Sequence, residues 1–183
     1  MQISGNIFLV GLMGAGKTTV GKLLAKHLNK SFCDSDHEIE RRTGVNIPLI
    51  FDIEGETGFR LRENSAIRDL AQKQNIVLAT GGGSILDAGN RETLRQHGIV
   101  VYLCANVEDL WLRTRHDRNR PLLQTTDPHA KLLELFEQRH PLYRETAHII
   151  IDTSKQSVQN LVHRLEEKLA SFADDPLTPL IEK

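Results

Sequence analysis

Residues 11–18 read Gly-Leu-Met-Gly-Ala-Gly-Lys-Thr, a complete phosphate-binding loop, and no other stretch limits so narrowly what this chain can fold into. The octet works only between a strand and a helix. Its glycines let backbone N–H groups turn toward a polyphosphate, the lysine adds a point charge for the outer phosphates, and the last hydroxyl can reach a magnesium ion. The flanks suit it. Ile7-Phe8-Leu9-Val10 is a short apolar run, as in a buried parallel strand, and Val20, Leu23, Leu24 and Leu28 follow Lys17 at helical spacing. The start of that helix brings further partial positive charge to the same point.

The rest of the chain alternates in the same way. Strands are expected at Asn6–Val10, Ser31–Cys33, Ile76–Ala79, Ile99–Leu103 and Ile149–Ile151. Helical patterns lie between and after them: Lys17–Leu28, Ser35–Thr43, Thr57–Lys73, Arg91–His97, Val107–Arg113, Pro128–Arg144 and Ser157–Leu169. This is the pattern of an α/β protein, a parallel sheet covered by helices on both faces, whose ligands sit beyond the carboxyl ends of the strands. Residues 115–127 are polar and without period, as in a lid or an unstructured loop. Residues 172–183 carry Asp174, Asp175, Pro176 and Pro179 and read as a flexible tail, leaving one domain over 1–171.

Composition narrows the function. With 39% hydrophobic and 26% charged residues the chain is globular, and a formal net charge of -1 argues against nucleic acid held by bulk electrostatics. No apolar run reaches the length of a membrane span, and the first residues lack the layout of a secretory signal. Cys33 and Cys104 each adjoin apolar strand-like sequence, which suits two buried thiols in a reducing cytoplasm rather than a disulfide or a metal site.

Several groups fall at the expected ligand edge. Asp34 and Asp36 flank Ser35, and alternation in an extended segment gives both the same facing. One carboxylate can hold a metal-bound water and the other can take a proton from an attacking hydroxyl; either can instead cap the helix starting near His37. Thr80-Gly81-Gly82-Gly83-Ser84 offers bare backbone to a ligand, or is a mobile turn. The strand before it lacks a terminal acid, so Asp34 is the candidate to assist magnesium. Arg60 and Arg139 lie in helical patterns whose periodicity alone assigns them to the solvated surface. Arg120, followed by Pro121, either neutralises a transferring phosphoryl group from the lid or is simply exposed.

Taken together, these motifs resemble shikimate kinase. The match is carried by Gly11 to Thr18, Phe32-Cys33-Asp34-Ser35-Asp36, and Glu54-Gly55-Glu56-Thr57-Gly58-Phe59-Arg60. It continues through Gly81-Gly82-Gly83, Arg120-Pro121-Leu122-Leu123, and Arg139-His140-Pro141-Leu142-Tyr143, in that order over about residues 5–170. The resemblance implies transfer of the ATP γ-phosphoryl group to the 3-hydroxyl of shikimate, on the route to chorismate and aromatic amino acids. It implies a three-layer, P-loop fold of the nucleoside-monophosphate-kinase type with a five-stranded parallel sheet. It also implies an acceptor-binding region at about 34–62, a lid at about 113–127, a cytoplasmic location and a monomer. By the same resemblance Gly14, Ala15, Gly16, Lys17, Thr18 and Thr19 bind ATP phosphates, with Thr18 and Asp34 holding Mg2+. Asp36 meets the acceptor hydroxyls and is the base. Arg60, Arg139 and Gly82 hold the acceptor carboxylate. Arg120 is the lid cation, and Arg113 lies against adenine. Thr18 stands where serine is common, with the same hydroxyl chemistry, and the lid interior from Arg115 to Asn119 matches only in character.

Two other readings stay open at this level. One is a kinase of the same class with another acceptor, such as gluconate, against which the Arg60, triple-glycine and Arg139 set speaks. The other is a nucleotide-sensing module without chemistry, against which Asp34 and Asp36 speak.

Overall fold

The computed structural model describes residues 3–117, 120–174 and 180–181. Arg118 and Asn119 of the expected lid lie outside them, as do residues 175–179 and 182–183. Asn6–Val10 (β1) is buried throughout and forms the centre of a parallel sheet. It pairs on one side with Ile76–Ala79 (β3) and on the other with Gly98–Cys104 (β4). Ser31–Asp34 (β2) lies outside β3, and Ile149–Asp152 (β5) outside β4. Leu180–Ile181 (β6) adds a short parallel pairing to β5, so the order is β2-β3-β1-β4-β5-β6.

The chain crosses β1 between β3 and β4. That crossing makes the carboxyl end of β1 a switch point, where helices diverge and a crevice opens. Register puts three loops on this edge. Asp34 pairs with Ala79, Leu9 with Ala79, and Val10 with Tyr102. The phosphate loop, Asp34 and the triple glycine therefore leave the sheet side by side.

The helices are Lys17–His27 (α1), Ser35–Thr43 (α2), Ile47–Ala71 (α3), Ala88–His97 (α4), Val107–Thr114 (α5), Pro128–Thr146 (α6) and Val158–Asp174 (α7). α1 and α7 pack on each other over β3 and β5, while α4 and α6 cover β4 with α3 beside α4. Most of these helices start on a short polar side chain that accepts from their own first turn: Asp34, Asn46, Asp87, Asn106 and Asp127. α1 starts on Gly16 with no side-chain cap.

Two elements differ from the sequence reading. α3 begins at Ile47, where the periodicity suggested Thr57. Its first part, Ile-Pro-Leu-Ile-Phe-Asp-Ile-Glu, is joined to the second across Gly55, whose φ of 67 breaks the helix. An apolar run that short and that rich in isoleucine shows no helical period. At the other end, part of the stretch read as a tail carries regular secondary structure. α7 runs on to Asp174, with Phe172 packed on the core and its ring 5.5 Å from that of His148, and β6 follows.

The main core fills the space around β1, β3, β4 and β5. A second, smaller cluster of Ile39, Ile50, Phe59 and Ala66 holds α2 to α3, with Ile47 and Phe51 against it. Phe51 and Phe59 meet at 4.7 Å between ring centroids.

Asn6 shows how the amino end of the sheet is closed. Its amide donates to the carbonyls of Ala71 at 3.3 Å and Lys73 at 2.7 Å, and its carbonyl accepts from the Ile76 N–H at 3.1 Å. The Asn6→Val substitution strands these buried groups. It should lower the unfolding free energy by about 2–4 kcal/mol in denaturant titration; a loss below about 1 kcal/mol would show the pairing to be dispensable.

Candidate active site

Gly16 takes a left-handed φ of 93, which turns the chain directly into α1 and leaves no side chain to occupy the first N–H groups. An uncapped helix start at a cleft is a place for an anion. Lys17 folds back over the loop, its ammonium donating to the carbonyls of Gly11 at 2.7 Å and Leu12 at 3.0 Å. Desolvation in the cleft, against the pull of Asp36, lowers its pKa to about 8, and the nearby Arg120 and Arg139 push the same way.

Thr18 donates its hydroxyl to Asp34 Oδ2 at 2.8 Å. The other oxygen of Asp34 accepts from the N–H groups of Asp36 at 3.1 Å and His37 at 3.4 Å. Asp34 therefore caps α2 and faces the phosphate loop at once. The expectation that strand alternation aligns Asp34 with Asp36 is corrected: β2 ends at Asp34, and Asp36 belongs to the first turn of α2. Both still line the cleft, because the helix turns there.

Asp36 Oδ1 is shielded from solvent and has no hydrogen-bond partner among the described residues. Desolvation, then the carboxylates of Glu63 and Asp34, raise its pKa to about 7, which Lys17 and Arg120 only partly offset. A carboxyl poised there suits proton transfer near neutrality.

The far wall is cationic. Arg139 is 2% exposed, yet its Nε and Nη1 find no partner among the described residues. Desolvation lowers its pKa, and Arg60 adds like-charge repulsion. Arg60 is held by Glu63 at 2.6 Å and by Glu56 at 2.8 Å, and its guanidinium lies over the Phe59 ring at 5.2 Å. It also lies flat against Gly83, where a side-chain Cβ would overlap the guanidinium. Periodicity had assigned both arginines to the solvated surface. The structure corrects this, because α3 and α6 line a cleft, and a helix beside a polar cavity turns charge inward.

Other expected residues also border this cleft of about 520 Å³. Gly14, Gly16, Thr18, Thr19, Gly82, Arg113 and Arg120 line it, while Ala15 is buried behind the loop. Arg113 donates to the carbonyl of Gly14 at 3.2 Å, to Thr153 Oγ1 at 3.3 Å and to the Thr153 carbonyl at 3.0 Å. Arg120 pairs with Asp117 at 2.8 Å and precedes a single 3-10 turn at Pro121–Leu123, within the stretch read as a lid. Cys33 and Cys104 are free and half-buried rather than fully buried.

Two residues had no role in the sequence reading. Glu63 is fully buried, its Oε1 without a partner among the described residues, and burial holds its pKa up although Arg60 opposes it. Its place one helical turn after Arg60 was the available signal. Tyr143 bonds the Gly82 carbonyl from α6.

The geometry has counterparts. The family model described as shikimate kinase matches residues 13–170. The shikimate kinase of Nitrosomonas europaea is 65% identical over 92% of this chain and 80% of its own, and that of Nitrosospira multiformis 60% over 91% and 85%. A solved shikimate kinase from Acinetobacter baumannii, in complex with shikimate, superposes with a TM-score of 0.91 at 52% identity, covering 93% of this chain and 95% of that one. With sequence and backbone agreeing along nearly the whole length, this chain belongs to the shikimate kinase family.

Proposed function

We propose that this chain transfers the γ-phosphoryl group of ATP to the 3-hydroxyl of shikimate, giving shikimate 3-phosphate and ADP on the route to chorismate and the aromatic amino acids. One observation carries the acceptor assignment. Among the described residues the buried Arg139 guanidinium has no carboxylate of its own; it lies beside Arg60 and the Gly82–Gly83 backbone, in the cleft that starts at the phosphate loop. A desolvated, unpaired cation is costly, and a small carboxylic acid relieves it with forked hydrogen bonds that also fix its orientation.

In this reading Gly14, Ala15, Gly16, Lys17, Thr18 and Thr19 receive the ATP phosphates on the N–H groups of the loop and α1, although that of Ala15 already donates to the Leu12 carbonyl at 3.2 Å. Lys17 turns from its two carbonyls toward the β- and γ-oxygens. Thr18 and Asp34, a hydroxyl and a carboxylate 2.8 Å apart, form a hard oxygen set suited to Mg2+. Among the described residues no cluster of three acidic, histidine or cysteine groups could hold an ion alone, so Thr18 and Asp34 would hold Mg2+ together with a bound nucleotide. When bound, Mg2+ neutralises charge on the β- and γ-phosphates.

Arg60, Arg139 and Gly82 hold the acceptor carboxylate, and Glu63 holds Arg60. Asp36 takes the proton of the 3-hydroxyl as its oxygen bonds to the γ-phosphorus and the bond to the β-bridging oxygen breaks. Arg120 leaves Asp117 to meet the phosphoryl oxygens when 113–127 closes as a lid, which also keeps water from becoming the acceptor. Arg113, tied to Gly14 and Thr153, supports the adenine. Every group in this account comes from one chain, which suits a monomer, and the two free thiols suit a reducing cytoplasm.

With Mg-ATP, purified protein should turn over shikimate at least about a hundredfold better in kcat/KM than gluconate or nucleoside monophosphates, since an unfilled buried polar site rejects poor fits strongly. An equal or reversed preference overturns the reading. The Asp36→Asn substitution should cut kcat by about 10²–10⁴ while ATP affinity, measured by calorimetry, stays near its original value; near-normal turnover would remove Asp36 as the base. The pH dependence has a definite sign. A base with its pKa raised to about 7 is protonated in acid, so kcat/KM should fall as pH drops below about 7. The decline should approach tenfold per unit, about one proton in slope, and a flat profile from about pH 5.5 to 8 would contradict it.

A further inference from the structure

Tyr143 lies four residues after Arg139 on α6, on the same helix face, and is 1% exposed. Its hydroxyl donates to the carbonyl of Gly82. Burial raises its pKa, so the phenol keeps the proton it donates. Gly82 in turn rests on the phosphate loop: a Cβ there would lie 3.4 Å from the Met13 nitrogen and 3.5 Å from the Gly11 carbonyl oxygen. The start of the glycine loop is held separately. The Gly81 N–H donates to Ser35 Oγ at 2.8 Å, and its carbonyl accepts from Ser84 Oγ at 2.7 Å. The middle of the loop depends on Tyr143.

The ring that carries this hydroxyl is itself fixed. It stacks on Tyr102 with centroids 4.9 Å apart and planes at 24°. The Tyr102 hydroxyl is tied elsewhere, to His140 Nδ1 at 2.9 Å. A carbonyl and the next N–H share one rigid trans peptide and point in opposite directions. Fixing the Gly82 carbonyl thus fixes the Gly83 N–H on the far side of the peptide. The N–H groups of Gly82 and Gly83 make no hydrogen bond among the described residues, and both glycines line the cleft.

We propose that Tyr143 is a positioning residue for the acceptor: by clamping the Gly82 carbonyl it orients the Gly82–Gly83 backbone that, with Arg60 and Arg139, receives the small carboxylic acid. The inference rests on the reading of the cleft given above. It assigns to one phenolic hydroxyl a part in acceptor recognition without contact with the acceptor.

Steady-state kinetics of the full chain with shikimate and Mg-ATP test it, with Tyr102→Phe as the control, since that change deletes a hydroxyl from the same stack but not from the loop. Tyr143→Phe should raise KM for shikimate about tenfold and leave KM for Mg-ATP within about twofold, the size of one buried hydrogen bond lost. Tyr143→Met, which fills the space without a hydroxyl, should show the same split. Tyr102→Phe should leave both constants within about twofold while lowering Tm comparably. The inference is overturned if Tyr143→Phe leaves KM for shikimate unchanged, if both KM values rise together, or if Tyr102→Phe gives the same rise. Failure of the underlying reading would be visible in the unaltered protein, as absent shikimate turnover.

Discussion

The arrangement of this molecule depends on one helix start that its own chain does not satisfy. Five helices close their first turns with aspartate or asparagine, but α1 begins at Gly16 with no side-chain cap among the described residues. Backbone donors at such an end carry partial positive charge, and the loop before them adds more. The parallel sheet puts this end at the switch point beside β1, where neighbouring strands deliver Asp34 and the triple glycine to the same edge. The remaining parts of the cleft are accommodations to that concentrated field.

Those accommodations interlock. Lys17 donates its ammonium to two loop carbonyls, Arg60 is shared between Glu56 and Glu63, and Asp36 sits near Glu63 without a partner for Oδ1 among the described residues. Glu63 serves as a buried counterweight. It restrains one arginine and at the same time makes the neighbouring carboxyl more basic. Arg139 is the exception, a cation surrounded by protein with no acid bound to it among the described residues. Together these groups leave the cleft short of negative charge on both sides, one side suited to phosphates and the other to a carboxylate.

Much of this was legible in the residues. β1 and β3 have the limits that the apolar runs suggested, and α2 spans the expected Ser35–Thr43. The phosphate loop announces itself because its chemistry is local, written in consecutive residues. Arg60 and Arg139 were not legible by period, since amphipathic patterns assume that charge faces bulk water, and here the helices face a polar cavity. The first half of α3 was hidden for a related reason: its isoleucines and phenylalanine serve a small separate cluster and show no single stripe. Glu63 and Tyr143 act through residues far apart in sequence, a relationship that no spacing rule records except for the single turn linking each to its arginine.

The two hydrophobic clusters have a consequence for how the molecule can change over time. The sheet and the phosphate loop are anchored in one core, whereas α2 and the start of α3 are secured by a separate patch of Ile39, Ile50, Phe59 and Ala66 that reaches across the Gly55 break. Selection can therefore remodel the α2–α3 side of the cleft, in shape or in charge, while the phosphate loop keeps its strand register. A fold partitioned in this way lends itself to descendants that share an energy source and differ in what they modify.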